Sequence, residues 1–233
     1  MALKPNAGWS ARLLNSAARA GLRRAYHSVQ VEPDKFMDHL RIVEGLPLRT
    51  WDDAFLLGPE VLNPVAQNLI HAATKAAALE GMGLGFGGFL TLVPDMGILT
   101  AITIRMLQKL SLLYGFPYAS EDQVVELWIA ASSAAGLDLG KEFLEKCAVQ
   151  KLVPRIIDRI AVKVGAEVAE KWTGKLIPVV SAGIGGALNY YFVRAWGRRV
   201  QKHFEERHNA VVAQRFSESA INIPPINLPQ LGS

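Results

Sequence analysis

The side chains able to do chemistry are few, and their spacing narrows what they could do. The histidines (His27, His39, His71, His203 and His208) include no pair three or four residues apart. His203 and His208 stand five apart and point to different faces of a helix, so local spacing builds no metal site. Cys147 is the only cysteine, which excludes an intrachain disulfide and any CxxC redox or zinc motif and favours a reducing compartment. It reads either as a small buried apolar residue or as a nucleophile awaiting a distant histidine. Gly83, Gly85 and Gly88 spell GxGxxG, the pattern with which a strand-to-helix turn approaches a pyrophosphate. Here the pattern follows an alanine-rich helical stretch at 64–80, and Asp95 comes far too early to be the ribose-binding acid. Gly136 to Lys141 is one residue short of a phosphate loop, and Glu142 stands where Ser or Thr should bind magnesium. Ser181 lacks the glycine flanks of a nucleophile elbow, because Val179 precedes it. No catalytic residue, cofactor or metal is assigned on these residues.

The elements that would position a site are helical. Asn63-Pro64 reads as an N-cap with proline at the first helical position, followed by Val65, Leu69, Ala72, Ala76 and Leu79 at helical spacing until Gly81. Ser120 with Gln123 forms a capping box, and Gly136 is placed to end that helix. Thr50 with Asp53 repeats the signal, Pro94-Asp95 opens a helix reaching Gly115, and further helices are expected near 138–150, 153–173 and 177–208. No useful period-two run appears, so the fold class is all-α: a bundle of seven or eight helices. The expected organisation is a basic N-terminal arm at 1–32, a helical domain at 33–215 and a proline-containing extended tail at 216–233.

Charge is distributed unevenly across the 233 residues, whose 25 Lys+Arg and 21 Asp+Glu leave a net +4. Bases gather at the edges of apolar segments rather than on one base-reading face, which suits a membrane surface and excludes nucleic acid as the expected partner. Residues 81–104 carry only Asp95, and residues 176–193 carry no charge. The second run is 18 residues, about 27 Å as a helix, against a hydrocarbon core of roughly 30 Å. Its apolar residues contribute roughly −3 to −4 kcal/mol to insertion, while Pro178, Ser181, Asn189 and the glycines oppose them. Asp95 offsets the first run in the same way. Both runs therefore stand between a buried core hairpin and a membrane-embedded one.

Within these runs Gly81/Gly85, Gly83/Gly87, Ser181/Gly185 and Ala182/Gly186 are each four apart, a small-xxx-small spacing that lets two helix backbones approach. The alternative is a glycine loop at 81–88. Asp95 reads as a first-turn acid favoured by the helix dipole, or as a pocket carboxylate pairing with Arg105 of another protomer. The arm carries Arg12, Arg19, Arg23 and Arg24 with no acid before Glu32, and it places Trp9, Leu13, Ala17 and Ala20 roughly on one helix face. That composition fits a surface anchor, a mitochondrial transit peptide in a eukaryotic source, or a frayed extension.

The stretch LEGMGLGFGGFLTLVPDMGILTAITIRMLQKLSLLYGFPYAS, residues 79–120, resembles the signature of the EcsC protein family. It joins a glycine-rich apolar run containing Gly81, Gly85, Gly87 and Gly88 to Pro94-Asp95, an apolar helix bearing Arg105, and Leu113-Tyr114-Gly115-Phe116. LIPVVSAGIGGALNYYFVRAWGRRVQKHF, residues 176–204, resembles that family's second element through Pro178, the Gly183/Gly185/Gly186 cluster and Asn189. The family is named for a bacterial protein encoded beside the subunits of an ABC transporter. The resemblance thus implies a non-catalytic, membrane-associated accessory protein, with a membrane surface or membrane protein as partner and the bacterial inner-membrane face as location. The alternative carried beside it is a lipid- or hydrophobic-ligand-binding protein, or an enzyme, with its cavity between the glycine-rich helices.

Overall fold

The computed structural model describes residues 16, 19, 20, 31–84, 92–137, 152–160, 162–163 and 182–221. All regular structure among them is helical, and the architecture is an all-α bundle. Helix α1 (Pro33–Ile42) starts with proline at its first turn, carries Asp34 there, and buries Phe36, Met37 and Leu40 on one face. A 3₁₀ turn, Trp51–Leu56, follows; the Asp53 carboxylate accepts the N–H groups of Arg49 at 2.7 Å and Thr50 at 2.8 Å, as the Thr50/Asp53 signal predicts.

Helix α2 runs Pro59–Leu84, so Pro64 lies inside it and Asn63 is not its cap. The helix opens instead from Gly58, whose carbonyl accepts Val61 N–H and Leu62 N–H. Pro64 is tolerated because it falls in the second turn, where only the carbonyl of Glu60 loses a partner close to the solvated helix end. Gly81 does not stop the helix. Helix α3 (Leu92–Leu113) starts two residues before Pro94 and ends in Gly115, whose φ of +88° closes the last turn. Helix α4 (Glu121–Ala134) has the expected capping box: Gln123 N–H donates to Ser120 Oγ at 3.3 Å and Ser120 N–H to Gln123 Oε1 at 3.1 Å, while Gly136 at φ +71° ends it.

The segment α5 (152–160) buries Leu152, Val153, Ile156, Ile157 and Ile160 along one stripe. Helix α6 (Ala182–Ile221) is 40 residues, about 60 Å long, and carries the chain helically through residues 216–221, which the sequence assigned to an extended tail. Its Val193, Trp196, Val200 and Phe204 recur every three or four residues and form the stripe that meets α2, α3 and α4.

Two contacts set the helix directions. Asn63 of α2 faces Gln201 and Glu205 of α6, and seven residues on, Ile70 faces Gly197. The pair α2/α6 is therefore antiparallel. A Cβ at Gly197 would stand 2.8 Å from Ile70 and 2.9 Å from Met106 Sδ of α3, so three helices cross closely at this glycine. No helix among the described residues is long and apolar enough to cross a membrane.

Candidate functional site

The Leu113-Tyr114-Gly115-Phe116 corner, where α3 ends, gathers a cluster of buried polar contacts. The Tyr114 hydroxyl, fully buried, donates to Asn63 Oδ1 at 2.6 Å; Asn63 Nδ2 donates to Glu205 Oε1 at 3.0 Å, and Gln201 Nε2 reaches the same Oδ1 at 3.3 Å. Burial pushes the Tyr114 phenol up to about 12, which keeps it a donor. His208, 2% exposed, sets Nδ1 3.1 Å from the Tyr114 carbonyl and Nε2 3.2 Å from the Leu57 carbonyl. Those are carbonyls at two helix ends, which lack intrahelical donors. Phe55 stacks on His208 at 5.1 Å, and Arg215 lies 4.5 Å over the outer face of Phe55 while pairing with Asp52. Phe116 stacks on Phe204 at 5.8 Å and receives Arg207 at 4.7 Å, whose guanidinium also holds Glu126 of α4 at 2.8 Å.

Why glycine at 115 follows from this crowding. A Cβ there would come 2.9 Å from Phe55 and 3.1 Å from the Trp51 carbonyl, in a backbone conformation that side chains avoid. Tyr118 Oη and Gln108 Oε1 then clamp Val31 from its carbonyl at 2.9 Å and its N–H at 3.0 Å, docking the segment ahead of α1 onto the same corner. The motif is thus architectural, fastening α1, the 3₁₀ turn, α2 and α6 to the end of α3.

A second feature continues along the α2/α6 seam from Gln201, whose amide also reaches Asn63. A half-open cleft of about 400 Å³ is lined from α2 by Gln67, Asn68, His71 and Thr74. Across it α6 presents Tyr190, Arg194, Arg198 and Gln201, which recur at i, i+4, i+8 and i+11 and so share one face. Arg194 donates to the Tyr190 hydroxyl; Arg198 is exposed, and among the described residues it forms no ion pair. Among the described residues no carboxylate lines this cleft.

The sequence-selected residues distribute as follows. Tyr114 and Gly115 form the corner; Asn189 is buried in α6 and Gly186 near its start. Arg105 is an exposed residue of α3, and Pro94 and Asp95 stand in that helix's first turn. Gly81 occupies the last turn of α2, and Gly183 and Gly185 the first turns of α6. Arg19 pairs with Asp158 of α5 at 3.3 Å, so that member of the basic arm faces the bundle. Gly85, Gly87, Gly88, Pro178, Cys147, Trp9, Arg12, Arg23, Arg24 and the helix expected at 138–150 lie outside the described residues. Sequence reasoning noted Asn63 and His208 but missed their roles in the corner, and it overlooked Gly197 and the cleft. The Arg194/Arg198 pair, at helical spacing just past an uncharged run, was the available signal for the last. Among the described residues no three His, Cys, Asp or Glu side chains gather to hold a metal.

No solved structure matches the chain. It is 25% identical over 186 residues to Protein EcsC of Bacillus subtilis (strain 168), a match covering 78% of this chain and 78% of that protein. The model of the EcsC protein family matches residues 25–208, which takes in the helices from α1, the Tyr114-Gly115 corner and the cleft-lining face of α6. The chain belongs to the EcsC protein family.

Proposed function

We propose that the chain is a non-catalytic accessory protein that docks peripherally on a membrane face and acts on a membrane machine such as an ABC transporter. The observation that carries this reading is where exposed apolar side chains of α2, α3 and α6 end up. Ile70 of α2 and Met106 of α3 meet at Gly197 of α6, Tyr114 at the end of α3 bonds Asn63 near the start of α2, and α2 is thus antiparallel to both α3 and α6. From that crossing Leu79, Ile98 and Tyr191 lie about 13, 12 and 9 Å along their helices toward one and the same end, at 1.5 Å per residue. All three are solvent-facing, at 66%, 41% and 70% exposure. Sequence segments far apart thus supply one apolar end.

Burying three such side chains is worth roughly 3–6 kcal/mol, since each covers only part of the 1.5–3 kcal/mol of a full burial. Each base near an anionic surface adds up to about 1 kcal/mol. The sum corresponds to dissociation constants from about millimolar to a few micromolar, a reversible and salt-sensitive association. Flotation with vesicles of phosphatidylcholine and phosphatidylglycerol tests it. Wild type floats, and the Leu79→Asp/Tyr191→Asp variant stays in the soluble fraction with an unchanged helical signal. Equal flotation of both proteins would remove the apolar end from the argument.

A further inference from the structure

The α2/α6 cleft is chemically unlike the pockets that take apolar ligands, which are mainly hydrophobic with a few placed polar groups. Its volume of about 400 Å³ is at the low end for such pockets, and polar groups share its lining about evenly with apolar surface from Ile70 and the aliphatic and aromatic parts of the other side chains; among the described residues it holds two guanidinium groups and no carboxylate. Arg194 and Arg198 stand one turn apart on one helix face, like charges about 6 Å apart at their Cβ atoms, an arrangement that disfavours the helix when nothing neutralises it. Elsewhere on α6 the cations have partners: Arg207 holds Glu126, Lys202 holds Glu206, and Arg199 donates to the Ala134 carbonyl that ends α4. In the cleft the nearest polar groups are donors or neutral: Gln67 and His71 across the gap, Gln201 and the Tyr190 hydroxyl beside it.

We propose that this cleft binds a phosphate group, held between Arg194 and Arg198 with amide donors from Gln67 and Gln201. One arginine fork satisfies both oxygens of a carboxylate, whereas a phosphate offers further oxygens to a second fork, so the paired forks select the tetrahedral anion. Position favours a lipid source. Arg194 lies one turn from Tyr191 and about 9 Å from the level of Leu79 along the bundle, which is the depth separating phosphate headgroups from side chains inserted 5–10 Å into an interface. Only this choice of source rests on the membrane reading; the anion chemistry stands without it.

The test uses the full chain and two charge-matched variants. Arg194→Gln/Arg198→Gln empties the cleft of charge, and Arg41→Gln/Lys202→Gln removes the same charge from exposed positions outside it. Binding is measured to vesicles of phosphatidylcholine with 0 or about 30 mol% phosphatidic acid, and to inorganic phosphate by calorimetry, with melting curves as the folding control. The expected result is an at least tenfold loss of affinity for phosphatidic acid vesicles in the cleft variant and less than threefold in the other. If wild type binds no vesicle yet binds inorganic phosphate, and only the cleft variant loses it, the cleft takes a soluble phosphate and the membrane reading alone fails. Equal losses in both variants, or no binding of either probe that depends on Arg194 and Arg198, overturn the proposal.

Discussion

Replacing Gly115 with alanine isolates what the family's tyrosine-glycine corner does. The added methyl costs in two ways. Holding a non-glycine residue on the positive side of φ, here +88°, costs about 1–2 kcal/mol. Contacts of 2.9 Å to Phe55 and 3.1 Å to the Trp51 carbonyl overpack the site by about 1–3 kcal/mol. Alanine returns about 0.4–1 kcal/mol by narrowing the unfolded ensemble. The net loss is about 1–4.5 kcal/mol, which at about 2–4 °C per kcal/mol for a chain of this size lowers the melting temperature by roughly 2–18 °C. Gly136→Ala is the internal control: φ is also positive, +71°, but no described residue lies within 4 Å of its Cβ, so only about 0–1.5 kcal/mol is lost. Urea unfolding followed at 222 nm measures both, and the His208 ring resonances report whether Phe55 has left its 5.1 Å stack. If the two variants lose the same stability and His208 does not respond, the corner is not crowded and the architectural reading of the motif fails.

The hydrogen-bonded cluster below the corner makes an ordering prediction: Tyr114→Phe should cost about 0.5–1.5 kcal/mol because Asn63 keeps Gln201 and Glu205, whereas Asn63→Leu strands the buried Tyr114 hydroxyl and should cost about 2–3 kcal/mol. Reversal of that order in urea titrations would show that Asn63 is not the hub. Burial, with Arg207 beside it, holds the His203 imidazole below its ordinary 6.5, and among the described residues its Nε2 has no hydrogen-bond partner. The unfolded chain then takes up a proton that the folded chain refuses, so stability falls as pH drops below 6.5, and His203→Gln should flatten that slope in melting curves between about pH 5 and 7. A slope unchanged in the variant would assign the pH response to other groups.

Much of the architecture was legible because local signals and the core pattern agree. Ser120 with Gln123 and Gly136 bounded α4 correctly, since a capping box and a glycine at positive φ need no tertiary information. Asn63-Pro64 misled for a physical reason. Both residues suit a helix start, but the chain had already turned helical at Pro59, and Asn63 commits its amide to groups 51, 138 and 142 residues away in sequence. Long-range demands of that kind leave no periodic trace. Gly197 escaped notice likewise: it is a lone glycine, and only the crossing of α6 over Ile70 and Met106 gives it meaning.

The placement of function follows from the same division between local and long-range information. Polar residues on the corner side are consumed by structure: Tyr114, Asn63 and His208 each bind another helix or its end, and substitutions there should act through stability. In the cleft, Arg194 and Arg198 meet no acid among the described residues of the lining, so charge there is neither capping a helix nor closing a bridge across the gap. Loss of Arg198 should therefore leave melting nearly unchanged while altering binding, the reverse of loss of Gly115. A melting curve and a vesicle titration on these two variants separate the part of the family motif that builds the bundle from the part of α6 that meets a ligand. A large loss of stability in Arg198→Gln would return that side chain to the structural class.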